Sequence, residues 1–159
     1  MQGIKLLFVG KTDSPHIKAM IAEYERRLSR YVPLEIEEIP DIKNRKSLTF
    51  EQQKEEEGRA ILATINSPQD EVVLLDEQGK MPTSQQFAKF IEEKQMRIPR
   101  KLIFVIGGPY GFSKEVYSAY HQKLSLGNMT FSHQMIRLFL IEQIYRAYTI
   151  INHHPYHHE

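Results

Sequence analysis

The segment KLIFVIGG, residues 101–108, sets the tightest limit on what this chain can fold into. Five consecutive apolar residues, four of them β-branched or aromatic, run straight into paired glycines. A strand without polar alternation has both faces covered, which is the condition of a strand inside a parallel sheet. GIKLLFVG at 3–10 and EVVLLD at 71–76 have the same character. LEIEEI at 34–39 instead alternates apolar and acidic residues, reads as a half-exposed strand, and is closed by Pro40.

Helical segments fill the intervals. Ser14 as N-cap and Pro15 at the first helical position open a helix to about Tyr31. Residues 47–65 are helical in character, with charge giving way to apolar residues toward the end. Residues 84–97 suit a helix burying Phe87, Phe90, Ile91 and Met96, and a last helix runs from about 133 to 151. The alternation, without repeat or linker, predicts an α/β fold with a mainly parallel sheet flanked by helices. A length of 159 residues predicts one domain, 1–159. Ligands of such sheets bind beyond the carboxyl ends of the strands, which points to Asp76, Gly107, Gly108 and the segment near Gly127.

Composition removes several chemistries. With no cysteine there is no disulfide, no thiolate nucleophile and no sulfur-bound zinc, and a reducing compartment is expected. No stretch approaches the ~20 apolar residues of a membrane span, and the opening MQGIKLLFVGK is too short for a signal peptide, so a cytoplasmic protein without a membrane partner is expected. The net charge of +1 means that any pull on nucleic acid must be local. Arg26, Arg27 and Arg30 form one basic group and Lys43, Arg45 and Lys46 another, although solvated surface alone would account for both.

Three segments hold the candidate chemistry. IGGPYGFS at 106–113 is a glycine turn that lets backbone approach a ligand, but it is neither GxGxxG nor GxxxxGK[ST], and a structural βα turn explains it equally. LSLGNMTFS at 124–132 reads as a loop whose polar groups could hold an adenine ring or an amino acid moiety. The last helix is apolar on nearly every face, so it crosses the core or lies in an isologous dimer interface, of which the dimer is favoured. Its charges, Arg137, Glu142 and Arg146, then need partners, in an intersubunit ion pair or on RNA or cofactor. The tail NHHPYHHE at 152–159 carries four of the seven histidines, yet adjacent pairs in a proline-broken segment give no fixed metal geometry, and no functional metal site is expected.

Together, GIKLLFVGK, VVLLDEQGK, IFVIGGPYGFS, LSLGNMTFSHQMIRLFLIEQIYRA and the tail resemble the RlmH family of SPOUT methyltransferases, of the Staphylococcus type, over the whole chain. The resemblance implies a SPOUT fold with a deep C-terminal trefoil knot, which no pattern argument would offer. It implies a homodimer that transfers a methyl group from S-adenosyl-L-methionine to nitrogen 3 of a pseudouridine in 23S ribosomal RNA, on assembled ribosomes. A ribosome-binding factor without catalysis is the alternative. The cofactor residues implied are Leu75, Asp76, Gly108, Gly127, Asn128, Met129, Thr130, Phe131 and Ser132. The tail is implied to reach the partner's site, where Tyr156 and His157 hold the target base and His157 accepts its proton. The family pattern has arginine where this chain has His158, replacing a permanent, phosphate-gripping cation with an imidazole.

Overall fold

The computed structural model describes residues 1–158. Its elements, in order, are β1 (Gly3–Val9), α1 (Pro15–Leu28), β2 (Leu34–Ile39), α2 (Phe50–Thr64), β3 (Glu71–Lys80), α3 (Ser84–Arg97), β4 (Lys101–Ile106), α4 (Lys114–Ala119), β5 (Gln122–Leu124) and α5 (Met135–Ile151), with a 3-10 turn at Arg45–Ser47. The five strands form one sheet in the order β2-β1-β4-β3-β5, and every neighbouring pair is parallel. The continuous apolar runs occupy β1, β4 and β3, the three interior strands, while the alternating LEIEEI lies at an edge. That is the placement expected from burial on two faces against one.

The sheet separates two cores. Ile4, Leu6, Phe8, Leu102, Phe104 and Ile106 face α1, α3 and α5. Leu7, Val9, Ile103 and Val105 point the other way, toward Ile61 of α2 and Val116 of α4. Caps fix where helices begin. Ser14 accepts from the Ile17 N–H ahead of Pro15, and Thr49 with Gln52 and Thr83 with Gln86 form reciprocal capping boxes.

Four features differ from the sequence expectation, one of them Met96, which was expected on the buried side of α3 and is 81% exposed near that helix's end. Strand β3 continues to Lys80, beyond the EVVLLD segment read as a strand, and α4 and β5 were not anticipated. β5 is three residues long, QKL, with too little pattern to show a period; its pairing with β3 defines it. Leu75 and Lys80 both stand opposite Leu124, so β3 bulges between them. Gly79 makes this possible, because a Cβ there would stand 2.6 Å from the Leu124 backbone nitrogen.

Candidate active site

The carboxyl ends of β3 and β4 and the loop after β5 enclose a cleft of ≈ 820 Å³. Eight of the nine residues singled out for a cofactor line it: Leu75, Asp76, Gly108, Gly127, Met129, Thr130, Phe131 and Ser132. Asn128 does not line it and is exposed, so its side chain is no part of the cleft. Ile106, Leu124, Leu126 and Ile136 add apolar wall, and Tyr117 and Lys123 add polar groups that sequence reasoning missed. Both sit in α4 and β5, the two elements without a readable pattern.

The glycine turn has a physical reason. A Cβ on Gly107 would press on the Phe112 ring at 3.0 Å, and one on Gly108 would reach 2.7 Å from Oε1 of Glu57. Glycine therefore lets this backbone pass between the cleft and α2. Glu57 is 5% exposed, and its Oε1 has no hydrogen-bond partner among the described residues. Burial pushes its carboxyl above the usual glutamate value against the opposing hydrogen bond from Gln53, and Asp41 adds to the rise.

On the β3 side, the Tyr117 hydroxyl donates to Asp76 Oδ2, and Asp76 Oδ1 accepts from the Gln78 N–H at 2.8 Å. Burial and then Asp76 raise the Tyr117 phenol well above its ordinary value, so it stays a donor. Lys123 Nζ lies 4.5 Å from the Tyr117 ring centroid. The loop is tied to itself: Ser125 Oγ donates to the Gly127 carbonyl at 3.0 Å, and Ser132 Oγ accepts from the Met135 N–H at 3.0 Å.

Arg137 anchors the same loop to the centre of the sheet. Its side chain is fully buried and donates to the carbonyls of Val9 and Gly10, to Thr12 Oγ1, each at 2.9 Å, and to the His133 carbonyl at 3.1 Å. Glu38 is 3.5 Å away. Gln134 adds two bonds, accepting from the Asp13 N–H and donating to the Lys11 carbonyl. Arg137 is thus satisfied within its own chain, which corrects the expected intersubunit ion pair. Glu142 and Arg146 also pair with each other, at 2.6 Å.

The tail does not line the cleft of its own chain. It lies along α1 and α5. The Tyr156 hydroxyl donates to Glu142 Oε1 at 2.9 Å and is 3.1 Å from the Tyr24 hydroxyl; its ring meets Tyr145 edge-on and lies under Arg146. Burial, then Tyr24 and Glu142, hold its phenol well above the ordinary value. Arg146 Nη1 is 3.1 Å from His157 Nδ1. A guanidinium only donates, so Nδ1 accepts, which leaves the ring's proton on the other nitrogen. His154 Nδ1 bonds the Tyr31 hydroxyl.

The family described as predicted SPOUT methyltransferase matches residues 1–157. The chain is 56% identical over 156 residues to the ribosomal RNA large subunit methyltransferase H of Parabacteroides distasonis, covering 98% of this chain and 99% of that protein. It is 52% identical over 154 residues to the protein of that name from Bacteroides fragilis strain YCH46, covering 97% and 98%. Its fold resembles that of a tRNA (m1G37) methyltransferase from Aquifex aeolicus, with TM-score 0.56, 14% identity, and coverage of 91% of this chain and 69% of that one. The chain belongs to the SPOUT methyltransferase family, where it groups with the proteins named ribosomal RNA large subunit methyltransferase H.

Proposed function

We propose that this protein is a ribosomal RNA methyltransferase that takes its methyl group from S-adenosyl-L-methionine and places it on nitrogen 3 of a pseudouridine in 23S ribosomal RNA of assembled ribosomes. The observation that carries the reading is the convergence of residues from β3, the glycine turn and the loop after β5 on one cleft beyond the strand ends. The cofactor would bring an electrophilic methyl group on a sulfonium. Leu75, Ile106, Leu124 and Leu126 offer apolar walls for an uncharged adenine, and the close-passing Gly107 and Gly108 present backbone instead of side chain. No lysine follows the glycines in the manner of a triphosphate site. The cleft therefore fits a nucleoside with a zwitterionic end better than a polyphosphate.

The chain's own residues supply the rest. Tyr156 offers a ring face to the target base, and Glu142, Tyr24 and Arg146 hold that ring in place. His157 accepts the imide proton only after Nδ1 leaves Arg146, or after its proton moves from the opposite nitrogen. Because the tail stays off its own chain's cleft, a homodimer is part of the proposal, one protomer's tail closing over its partner's cofactor. Exposed Met20, Met135 and Phe139 support an apolar contact between copies. The proposal includes one domain over 1–159, a cytoplasmic location, and a C-terminal trefoil knot. The return of the chain from edge strand β5 to Val9 and Gly10 at the end of interior strand β1 is compatible with that threading. No helix among the described residues is long and apolar enough to cross a membrane.

Calorimetry should show one cofactor site per chain, and mass spectrometry of ribosomal RNA from cells lacking this gene should show one pseudouridine without its methyl group. Cofactor binding with unchanged RNA would reject the substrate. Ribosome binding without cofactor binding would favour the non-catalytic factor.

A further inference from the structure

A pair of aromatic rings stands exposed on the surface beside the cleft. Phe50 is the first residue of α2 and is 65% exposed; Tyr110 belongs to the glycine turn and is 41% exposed. Their rings are stacked, with centroids 4.1 Å apart and planes 22° from parallel. Thr49, capped reciprocally with Gln52, fixes the start of α2, so Phe50 is held at the surface. A phenylalanine so exposed gains little from folding, since hydrophobic stabilisation follows the apolar area removed from water. Tyr110 also lines the cleft, which puts the pair at its margin.

The surroundings are cationic and polar, not apolar. Exposed Arg45 and Lys46 lie in the 3-10 turn just before α2, and exposed Lys114 opens α4 just after the glycine turn. Two of the acids nearby are engaged, Asp41 with Arg45 at 3.4 Å and Glu51 with Lys54 at 2.8 Å. Ser113 and Val116, on either side of Lys114 in the chain, pack against Gly58, which brings the start of α4 against α2. A protein partner would call for a wider apolar patch around the rings. An unpaired nucleotide needs a π face for its base and a cation for its phosphate.

We propose that Phe50 and Tyr110 form a stacking platform for an unpaired base of the RNA substrate, flanking the target nucleotide, with Arg45, Lys46 and Lys114 on its phosphates. The platform rests on the methyltransferase reading above and adds to it a second point of RNA contact, at the margin of the cofactor cleft. Base stacking tolerates any base, so the platform would position the strand without reading its sequence.

The chain has no tryptophan, so Phe50→Trp creates a single indole reporter. Titrating this variant with a short oligouridylate should quench its emission, and its KM for ribosomes should match that of wild type. Phe50→Ala should raise that KM about tenfold, the size of one base stack, with unchanged affinity for S-adenosyl-L-methionine and an unchanged melting temperature. An unchanged KM in Phe50→Ala overturns the platform. Weakened cofactor binding there also overturns it, because the pair would then only prop the glycine turn. A raised KM with an indole blind to oligouridylate assigns the rings to a protein surface and overturns the RNA assignment. If wild type transfers no methyl group to ribosomes, the functional reading itself fails and the platform with it.

Discussion

Glu57 is the residue whose environment is least accommodating. Its folded pKa lies above the ordinary value of about 4.3, so the folded state binds the proton more tightly than the unfolded chain does. The stabilising contribution is complete below the ordinary value and is lost as pH rises through the raised one. Glu57→Gln should therefore melt above wild type at pH 8, by about 2–4 °C for each kcal/mol recovered, with the gap closing toward pH 4. A wild type that melts higher at pH 8 contradicts this. In the tail, Tyr156→Ala should abolish most methyl transfer to ribosomes. Tyr156→Phe keeps the ring, loses the bonds to Glu142 and Tyr24, and should retain an intermediate rate. His158→Arg should keep or raise activity, because an exposed guanidinium is a permanent cation that grips phosphate through two donors at once. Steady-state rates with ribosomes distinguish the three.

The interior strands were legible because burial on both faces leaves an unbroken apolar run, and α1 was legible because Ser14 accepts from a free N–H and Pro15 has none to satisfy, whereas the capping boxes of α2 and α3 went unread. The elements that escaped, α4 and β5, span six and three residues and owe their form to packing against β3 and α2, far away in sequence. Tyr117 and Lys123 were missed with them. Arg137 stands out in the sequence as a charge on an apolar helix, but spacing could not show that its partners are carbonyls more than a hundred residues earlier. Those carbonyls would lose their donors in Arg137→Met. With each unmet buried group costing about 1–3 kcal/mol, urea unfolding should report a loss of roughly 2–5 kcal/mol, and a loss under about 1 kcal/mol would show that water replaces the guanidinium. The basic segments also need sorting. Arg26 and Arg27 pair with Glu23, whereas Arg30, Lys43 and Lys46 form no ion pair among the described residues. Neutralising these three should flatten the salt dependence of ribosome binding, by up to about 0.7–0.9 in slope for each phosphate no longer neutralised, while neutralising Arg26 should do less.

At the scale of the whole molecule, the cleft and the tail stay apart within one chain, and the proposed site is complete only between two chains. Exposed apolar side chains on α1 and α5, near the tail's own docking surface, are where the proposed second copy would sit. Mixing two defective variants tests this most directly. Gly108→Val drives a side chain into Glu57 and so displaces the glycine turn that walls the cleft, and Tyr156→Ala spoils the tail. Each alone should be inactive on ribosomes. Unfolded and refolded together, they should recover about a quarter of wild-type activity, because half the dimers are mixed and each mixed dimer holds one site with both parts intact. No recovery from a mixture shown to contain mixed dimers would mean that each tail serves its own chain, and would contradict the composite site.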